Sequence, residues 1–367
     1  MKVGILGGGQ LGMMLAEAAE QLAIETLVLD PKPDAVAGRV TRHLAADWGD
    51  ATALDALAAC DVVTYEFENV PSETVERLVA RVPVHPSPRS LVVSGDRLRE
   101  KTLFRELGIE TASFAVVDDR AGLDRAIAEV GLPAVLKTRR FGYDGKGQAV
   151  LRSAADVEPA WQALGSQALI LEGFVDFDRE VSVGAARGRD GRTVFWPATE
   201  NVHVDGILHL SRAPAEQVSQ ALFARAVEGL EAVMANLDYV GVLVVEFFQQ
   251  GEHLIANEMA CRVHNSTHWT IEGAATSQFE NQIRAVAGLP LGSTATPRPA
   301  AMVNLVGELR DLSPLDGERD VFVHVYGKSP EPGRKLGHVT ILADTRAELE
   351  ARIAKVLAVV GDRAAGG

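Results

Sequence analysis

A lysine followed by three glycines is the part of this chain best suited to hold a triphosphate. An apolar run from Val135 leads to Lys137, and Gly142, Gly145 and Gly147 follow it. Glycines let backbone N–H groups approach phosphate oxygens closely, and a lysine on a strand supplies a fixed positive charge. The segment therefore predicts a nucleotide triphosphate site made from a strand and the loop after it.

Two commoner phosphate-binding loops do not fit this segment. A Walker A loop needs glycine, four residues and then Gly-Lys-Ser/Thr, but Arg140 stands at the first glycine position and Gly147 at the hydroxyl position. The glycine loop of protein kinases precedes its lysine, whereas this loop follows Lys137. The order of the lysine and the glycines argues against both classes.

Glu246 and Glu258 lie on two apolar runs separated by a turn at Gln249 to Gly251. Folding this hairpin brings the two carboxylates close together on neighbouring strands. An unpaired carboxylate in an apolar strand is costly, and Mg²⁺ is commonly held by one or two carboxylates plus substrate phosphates. The pair therefore predicts a magnesium site. The alternative is that each glutamate pairs with an arginine on a solvated face, and the nearby triphosphate site favours the metal.

Arg262, His264 and Asn265 follow directly after the predicted metal site. Their donors would lie where an oxyanion next to the γ-phosphate is expected. Zinc binding by His264 and His268 is the competing interpretation. It is disfavoured because Asn265 occupies the position of the glutamate in the metalloprotease motif, and no third ligand is evident.

Gly7, Gly9 and Gly12 stand between a strand and a helix, and Asp30 ends the next strand. This spacing satisfies the dinucleotide fingerprint. The same turn can hold the phosphate of another ligand, or it can be purely structural. A nicotinamide enzyme has no use for a second phosphate site, so Lys137 argues against dinucleotide binding.

Lys328, Arg334 and Lys335 form a basic turn rich in glycine and proline within an acidic chain. This turn would clamp a substrate phosphate if its cations converge on one pocket. Lysines are also routine in surface turns, so a solvated turn is the alternative.

The elements that position these residues indicate an α/β protein with three units. Residues 1–95 alternate strands and helices and predict a small doubly wound, Rossmann-like sheet that includes a strand at Val82–Pro86. Residues 96–290 would form the nucleotide-binding unit, with a lid at about 113–175, a strand at Thr193–Val202 and a helix at Ala215–Leu237. Residues 291–367 predict a small C-terminal α+β unit.

The composition bounds the possible partners. The 367 residues are 47% hydrophobic, which is enough for substantial cores. The net charge is −14 and there is no long block of lysine or arginine, so no nucleic-acid partner is expected. Cys60 and Cys261 are far apart and suggest no disulfide framework. The sequence contains neither an apolar signal core nor a run long enough for a membrane span, so no membrane association and a cytoplasmic location are expected.

Taken together, these features resemble the ATP-grasp ligases. More narrowly, the whole chain is similar to the family of 5-(carboxyamino)imidazole ribonucleotide synthetases. The motifs that carry this resemblance are Gly-Gly-Gly-Gln-Leu-Gly, Phe-Gly-Tyr-Asp-Gly-Lys-Gly-Gln and Arg-Val-His-Asn-Ser-x-His-Trp-Thr. The resemblance implies an ATP-grasp fold with an N-terminal preATP domain, and ATP-dependent carboxylation of 5-aminoimidazole ribonucleotide with bicarbonate by way of carboxyphosphate. It also implies a role in purine biosynthesis and a homodimer.

The resemblance further implies which residues bind each ligand. Mg²⁺ would sit on Glu246 and Glu258, and Lys137 would be catalytic together with Arg262, His264 and Asn265, which would face bicarbonate and the amine. The residues implied to contact ATP are Arg97, Lys137, Gly142, Tyr143, Asp144, Gly145, Lys146, Gly147, Gln148, Glu172, Gly173, Phe174, Val175, Glu180, His203, Asn257 and Glu258. Those implied to contact the ribonucleotide are Gln10, Leu11, Glu66, Asp144, Lys328, Arg334 and Lys335. The chain departs from the family at Met13 and Thr267, where Arg and Gly are frequent.

Three other functions remain open on the sequence alone. The first is an NAD-dependent oxidoreductase, because of the glycine fingerprint. The second is a formate-using glycinamide ribonucleotide transformylase, which has the same fold. The third is an ATP-binding regulator without catalysis.

Overall fold

The computed structural model describes residues 1–142 and 145–364. Tyr143 and Asp144, which were predicted to contact ATP, lie outside the described residues. The described strands form three sheets of four, nine and four strands. No helix in these two ranges is long and apolar enough to cross a bilayer.

The N-terminal unit is a parallel four-stranded sheet with helices on both faces. Its elements are β1 (Lys2–Leu6), α1 (Gln10–Gln21), β2 (Glu25–Asp30), β3 (Arg42–Ala45), α2 (Ala51–Ala58), β4 (Val62–Tyr65), α3 (Ser72–Val79) and α4 (Pro88–Ser94). The strand order is β3-β2-β1-β4. The central strand β1 is almost entirely buried, as expected for a parallel strand covered on both faces. The first glycine loop follows it and leads directly into α1.

The predicted strand at Val82–Pro86 is wrong. The chain makes only an isolated bridge here, in which Val63 N–H donates to Pro83 O and His85 N–H donates to Val63 O, both at 2.9 Å. Pro83 and Pro86 have no N–H group to continue a ladder, so pairing cannot extend beyond this bridge.

A second, antiparallel sheet carries Lys137. The elements around it are α5 (Arg97–Glu106), β5 (Phe114–Val117), α6 (Arg120–Val130), β6 (Ala134–Thr138), β7 (Gln148–Leu151), α7 (Val157–Leu164) and β8 (Leu169–Gly173). The strand order is β5-β8-β6-β7. One face buries Leu136 and Leu171 against α6 and α7. The glycine loop connects β6 to β7, so Lys137 and the loop lie at the same end of these two strands.

The third sheet is the largest and contains the glutamate hairpin. Its strands are β9 (Arg179–Arg187), β10 (Thr193–Phe195), β11 (Thr199–Val204), β12 (Ile207–Ala213), β13 (Gly241–Gln250), β14 (His253–Ala260), β15 (Ala300–Val306), β16 (Val321–Val325) and β17 (Lys335–Leu342). The helices of this region are α8 (Gln220–Asn236), α9 (Thr270–Gly273), α10 (Gln278–Ala287) and α11 (Arg346–Val360). The main order is β14-β13-β9-β11-β12-β15-β17-β16, and β10 pairs with β9. The three C-terminal strands therefore extend the central sheet instead of forming a separate one.

Two predicted elements of this region have different bounds in the structure. The strand predicted at Thr193–Val202 divides into β10 and β11, because Pro197 cannot donate to a ladder and the indole of Trp196 turns inward to donate to Thr276 O at 3.1 Å. Helix α8 begins later than predicted. The Ser219 hydroxyl accepts from Leu222 N–H at 3.2 Å and caps the helix there.

One hydrophobic cluster joins the N-terminal unit to the central sheet. It includes Leu15 of α1, Phe279 and Ile283 of α10, and Val244 of β13, and all four side chains are buried. This contact places the first glycine loop beside the segment that follows the glutamate hairpin.

Candidate active site

Lys137 lies on β6 and is paired with Glu172 of β8. Its Nζ donates to Glu172 Oε2 at 2.9 Å, and Lys101 Nζ lies 3.3 Å from the same oxygen. Burial by itself would raise the pKa of Glu172, but Lys101 and Lys137 hold it at about 2. Burial lowers the pKa of Lys137, and Glu172 opposes that shift. Lys137 thus lies inside the protein in a cluster in which Glu172 faces two lysines.

Lys101 was missed by the sequence analysis. It lies on α5, one turn after Arg97, and is 1% exposed. Asp96 caps this helix by accepting from Leu98 N–H at 3.0 Å, and it also binds Arg139 Nη2 at 2.6 Å. The spacing of Arg97 and Lys101, which places both cations on one helical face, was the only signal available.

The glutamate hairpin has the predicted geometry. Glu246 on β13 is directly opposite Glu258 on β14, and a β-bulge follows Glu246. Arg97 Nη1 donates to Glu258 Oε2 at 2.9 Å, so Glu258 makes the arginine pair that was the alternative to a metal. Glu246 differs from it. Its Oε1 is buried without a hydrogen-bond partner among the described residues, and His264 Nδ1 is 3.8 Å away.

The two carboxylates differ accordingly in their pKa. Burial raises the pKa of Glu246 to about 7, and the neighbouring Glu258 adds to this effect while His203 opposes it. Burial would also raise the pKa of Glu258, but Arg97 holds it at about 2. One carboxylate is therefore already compensated, and the other is not.

The residues of the hairpin fit a bound Mg²⁺. Asn257 Oδ1, like Glu246 Oε1, is buried without a hydrogen-bond partner within the described ranges. Oxygen acceptors of this type are the ligands that Mg²⁺ prefers. No group of three or more His, Cys, Asp or Glu side chains in the described residues could hold a metal ion. A site of one or two carboxylates completed by substrate phosphates is consistent with both observations.

Two cavities meet at this hairpin. The hinge cavity, of about 290 Å³, contains Lys137 and the segment from Glu172 to Val175. The basic cavity, of about 530 Å³, contains Gln10, Arg262 and the basic turn. The residues that line both cavities are Arg97, Glu246, Glu258, His264, Asn265 and Lys335. The shared wall is thus the hairpin and the polar segment after it.

Most of the residues predicted to contact ATP line the hinge cavity. They are Arg97, Lys137, Gly145, Gln148, Glu172, Gly173, Phe174, Val175, Glu180, His203, Asn257 and Glu258. Gly142 and Lys146 line the basic cavity instead, and Gly147 is not among the described lining residues. Phe177 and Phe248, which the sequence analysis missed, stack in the hinge cavity with ring centroids 4.6 Å apart. They provide the flat apolar wall that an aromatic base requires.

His203 lines the hinge cavity beside an acidic partner. Its Nδ1 lies 2.7 Å from Glu180 Oε2. Burial alone would lower the pKa of His203, but Glu180 and Glu246 raise it above its ordinary value. The imidazolium form suits an anionic ligand.

The first glycine loop binds two carboxylates of the protein itself. Gly8 N–H donates to Asp30 Oδ2 at 2.8 Å, and Gly9 N–H donates to Glu66 Oε1 at 2.9 Å. A Cβ on Gly9 would lie 2.8 Å from Glu66 Oε1, so a side chain here would displace the Glu66 carboxylate. These two N–H groups are thus not open to a pyrophosphate, which argues against the dinucleotide interpretation. The loop instead positions Gln10 and Leu11, which line the basic cavity.

The predicted contact of Glu66 with the ribonucleotide stays a prediction. Glu66 is 8% exposed and is not among the described residues that line either cavity. Its carboxylate lies beneath the glycine loop because it accepts the Gly9 N–H group. Glu66 thus supports the loop that positions Gln10.

The basic turn lines the basic cavity, which meets the condition for its predicted contact with a phosphate. Lys328 Nζ donates to Gln10 Oε1 at 3.2 Å, and Arg334 pairs with Glu331 and donates to Ser329 O at 3.0 Å. Burial lowers the pKa of Lys328, and Arg334 lowers it further. The cations that line this cavity are Lys32, Arg97, Arg139, Arg140, Lys146, Arg262, Lys328, Arg334 and Lys335. A cavity with this lining suits a phosphorylated ligand.

Arg262, His264 and Asn265 lie side by side at the wall shared by the two cavities. Arg262 makes a two-bond pair with Glu68, with Nε–Oε2 at 2.5 Å and Nη2–Oε1 at 3.1 Å. Asn265 Nδ2 donates to Asn304 Oδ1 at 3.1 Å. Glu68 and Asn304 were missed, because nothing in the local sequence links either residue to this segment.

His264 is neutral in this environment. Burial and the nearby Arg262 lower its pKa to about 3. Its Nδ1 lies 2.9 Å from Ser266 Oγ, and the contact is local to the turn. The residue therefore offers a neutral imidazole, while Arg262 supplies the positive charge.

Family models match nearly the whole chain. The ATP-grasp domain matches residues 102–279, and the ribonucleotide synthetase preATP-grasp domain matches residues 1–95. The phosphoribosylaminoimidazole carboxylase C-terminal domain matches residues 300–352. These matches confirm the predicted α/β fold of the ATP-grasp type.

Relatives of known name are similar over their full lengths. The N5-carboxyaminoimidazole ribonucleotide synthase of Pseudomonas aeruginosa is 53% identical over 361 residues, with 98% of this chain and 99% of that protein covered. The enzyme of the same name from Brucella melitensis is 47% identical over 346 residues, with 92% and 95% covered.

Solved structures agree with these relatives. The N5-carboxyaminoimidazole ribonucleotide synthetase from Thermus thermophilus matches with a TM-score of 0.94 and 50% identity, covering 98% of this chain and 99% of the other. The enzyme from Aspergillus clavatus in complex with ADP and 5-aminoimidazole ribonucleotide matches with a TM-score of 0.89 and 32% identity, covering 98% of both. The chain therefore belongs to the N5-carboxyaminoimidazole ribonucleotide synthase family, the ATP- and Mg²⁺-dependent ATP-grasp ligases that carboxylate 5-aminoimidazole ribonucleotide in purine biosynthesis.

Proposed function

We propose that this protein activates bicarbonate with ATP in the hinge cavity and transfers the carboxyl group to 5-aminoimidazole ribonucleotide held in the basic cavity. The observation that carries the proposal is the meeting of the two cavities at Glu246 and Glu258. A triphosphate in one cavity can thereby present its terminal phosphoryl group to reactants that enter from the other. Proximity of this kind removes much of the entropic barrier between reactants.

ATP would lie with its base between the apolar wall of Phe177 and Phe248 and the segment from Glu172 to Val175. Glu172 Oε1 is buried without a hydrogen-bond partner among the described residues, so it remains available as an acceptor for the ligand. Lys137 and His203 would bind the phosphates, and Asn257 would lie beside them. Tyr143 and Asp144, predicted to contact ATP, fall outside the part of the chain that the structure describes.

Glu246 and Glu258 would hold Mg²⁺, with phosphate oxygens as the remaining ligands. The metal would supply charge stabilisation for the transferred phosphoryl group. Arg97 keeps Glu258 ionised. The environment of Glu246 disfavours its negative charge, so a bound cation would stabilise the ionised carboxylate.

The chemistry follows from the weakness of bicarbonate as an electrophile. A bicarbonate oxygen attacks the γ-phosphorus of ATP, the bond to the β-phosphate oxygen breaks, and ADP leaves with that electron pair. The amine nitrogen then attacks the carboxyl carbon of carboxyphosphate, phosphate leaves, and the amine loses one proton. Arg262 would bind the carboxyl oxygens with a charge-assisted bond worth about 1.5–3 kcal/mol. His264 and Asn265 would orient the same group.

The ribonucleotide would occupy the basic cavity. Lys328, Arg334 and Lys335 would bind its phosphate, and Gln10 and Leu11 would contact it from the first glycine loop. The predicted contact from Asp144 cannot be placed, because that residue is outside the described ranges.

A homodimer is also proposed, on the precedent of the family. The strand β16 is at the end of its sheet, and Phe322 and Val325 are exposed on it. An open strand edge with exposed apolar side chains is surface that a second copy could cover. Light scattering after size exclusion tests the proposal, since a dimer has twice the 39.2 kDa mass of one chain.

The test of the reaction is ADP release with each substrate omitted in turn. We expect release that requires ATP, bicarbonate and 5-aminoimidazole ribonucleotide together. Release with formate and glycinamide ribonucleotide in their place would support the transformylase alternative. Tight binding of NADH would support an oxidoreductase, and nucleotide binding without phosphate release under any combination would support a regulator.

A first variant tests the proposed role of Arg262. We expect Arg262→Ala to lower bicarbonate-dependent ADP release by about ten- to a hundredfold while the KM for ATP changes little, because a charge-assisted contact worth about 1.5–3 kcal/mol is lost. Glu68→Gln is the matched control, since it weakens the same ion pair and keeps the guanidinium. Unchanged turnover in Arg262→Ala would remove this arginine from the mechanism, and an equal loss in Glu68→Gln would assign the effect to the pair.

A further inference from the structure

Gln278 connects three residues of the segment that lines the basic cavity. It is the first residue of α10 and is fully buried. Its Oε1 accepts from His264 N–H at 2.8 Å and from the Thr267 hydroxyl at 2.6 Å. Its Nε2 donates to His264 O at 2.8 Å and lies 2.8 Å from His268 Nδ1. All four hydrogen-bonding positions of the amide are thereby used.

This network sets the tautomer of His268. His264 N–H can only donate, so the Gln278 atom facing it is the oxygen, and the atom facing His268 is the NH₂ group. An NH₂ group can only donate, so Nδ1 of His268 is an acceptor and carries no proton. A ring whose Nδ1 carries no proton is neutral, and burial, which lowers the pKa of His268, acts in the same direction. The remaining proton of His268 is therefore on Nε2.

The Nε2–H group of His268 makes no hydrogen bond within residues 1–142 and 145–364. The side chain is 1% exposed, and it lines the basic cavity. Its ring is held in place by Phe279 and His338, with ring centroids 5.3 and 5.1 Å away. His268 Nε2 is not among the buried side-chain atoms that lack a hydrogen-bond partner, so this donor is open to the basic cavity, where a bound ligand can accept from it.

We propose that His268 is a further substrate-binding residue, which donates its Nε2–H to an uncharged acceptor of the ribonucleotide, and that Gln278 is the positioning residue that sets the required tautomer. The cavity already has cations for the phosphate, so a neutral donor suits a ribose oxygen or an imidazole nitrogen. The inference rests on the proposed function, because that function supplies the occupant of the basic cavity.

Paired substitutions test the role of Nε2. The side chain in His268→Asn reaches the Nδ1 position and keeps a partner for Gln278, whereas that in His268→Gln also reaches the Nε2 position. We expect His268→Asn to raise the KM for 5-aminoimidazole ribonucleotide by about three- to tenfold, the effect of one neutral hydrogen bond, with the KM for ATP unchanged. His268→Gln should recover most of the loss, and the exposed His253→Asn should have no effect.

An unchanged KM for the ribonucleotide in His268→Asn, or equal changes in both KM values, would overturn the inference. ADP release by the wild-type protein tests the proposed function separately. If this release does not depend on the ribonucleotide, the proposed function itself is wrong. Inhibition by ribose 5-phosphate, which lacks the base, locates the acceptor. Weaker inhibition of His268→Asn places the acceptor on the ribose, and unchanged inhibition places it on the imidazole.

A spectroscopic measurement tests the tautomer independently of activity. The chain has nine histidines, so nitrogen NMR of histidine-labelled wild-type protein can resolve them once His268→Asn identifies the missing signal. We expect the Nε2–H tautomer for His268. In Gln278→Glu a carboxylate replaces the NH₂ group, so the proton should move to Nδ1 and the KM for the ribonucleotide should rise as in His268→Asn. An Nδ1–H tautomer in the wild-type protein would overturn the inference.

Discussion

Glu172 and Glu246 are two carboxylates, the first buried and the second 12% exposed, that line the same cavity under opposite conditions. Glu172 has two lysines on one oxygen, and these hold its pKa at about 2. Glu246 Oε1 has no hydrogen-bond partner among the described residues, and burial raises the pKa of this carboxyl to about 7. The first charge is compensated by the fold itself. The charge of Glu246 is left to be compensated by a bound cation.

The two glycine-rich segments show the same contrast. In the first, the Gly8 and Gly9 N–H groups donate to carboxylates of the protein, so the loop is part of the scaffold. In the second, Gly145 lines the cavity that contains Lys137. Spacing of glycines alone therefore does not separate a structural turn from a ligand-binding loop. The carboxylate partners of the Gly8 and Gly9 N–H groups are what identify the first loop as structural.

The largest expected effect is at the compensated carboxylate. We expect Glu172→Gln to lower the free energy of unfolding by about 3–5 kcal/mol, because Lys101 and Lys137 would remain buried without their counter-charge. Chemical denaturation of the two proteins in parallel measures the difference. The control Glu158→Gln, which loses an exposed ion pair with Arg120, should change the free energy of unfolding by less than about 1 kcal/mol.

The pH dependence of this difference has a definite sign. The folded pKa of Glu172 is about 2, below its ordinary value of 4.5, so its stabilising contribution is complete above pH 4.5 and is lost as the pH falls through 2. The difference in the free energy of unfolding between wild type and Glu172→Gln should be constant from pH 8 to 5 and should become smaller at lower pH. A gap that widens on acidification would contradict the assignment of a paired carboxylate.

The uncompensated carboxylate should respond in the opposite direction. The folded pKa of Glu246 is about 7, above its ordinary value of 4.5, so stability is lost as the pH rises from 4.5 to 7. In metal-free protein, we expect Glu246→Gln to be more stable than wild type by on the order of 1–3 kcal/mol at pH 8, with no difference at pH 4. Thermal denaturation in a chelating buffer measures this.

The same variant should lose function while it gains stability. Mg²⁺-dependent ADP release should fall at least about a hundredfold, because the metal loses one of its two carboxylates. Added Mg²⁺ with ADP should raise the unfolding temperature of the wild type and have little effect on Glu246→Gln. Equal stabilisation of both proteins by Mg²⁺ would remove Glu246 from the metal site.

The hairpin was predictable from the sequence because its geometry is local. A tight turn between two apolar runs determines which residues face each other, so Glu246 and Glu258 could be paired from spacing alone. The Lys137 strand and its loop were predictable for the same reason. The motifs in these segments also identified the family.

The residues that compensate these charges were not predictable. Glu172 is bound by Lys101, and Arg262 is bound by Glu68, far away in the chain. Hydrophobic periodicity indicates that an element is a helix or a strand, but it does not say which faces meet. The C-terminal strands illustrate this limit, because nothing in their pattern indicated that β15 would pair with β12 and extend the central sheet.

The smallest expected effects distinguish the two glycine segments. A Cβ on Gly12 would lie 2.5 Å from the Gly7 carbonyl oxygen, and a Cβ on Gly147 would lie 2.6 Å from Thr138 Oγ1 at a positive φ of 74°. We expect Gly12→Ala to lower the free energy of unfolding by about 1–3 kcal/mol, because a scaffold turn must shift. Gly147→Ala should instead raise the KM for ATP several-fold, since its strain of about 1–2 kcal/mol can be relieved by moving the loop.

Each of the two variants should change only one of the two measurements, stability for Gly12→Ala and the KM for ATP for Gly147→Ala. Gly12→Ala should leave the KM for ATP nearly unchanged, because its loop lines only the basic cavity through Gln10 and Leu11. Gly251→Ala is a control for backbone strain, since it also has a positive φ, of 55°, and a Cβ there would meet nothing within 4 Å. If Gly12→Ala weakened ATP binding as much as Gly147→Ala, the first loop would have to contact the nucleotide, and the distinction between a scaffold loop and a ligand loop would fail.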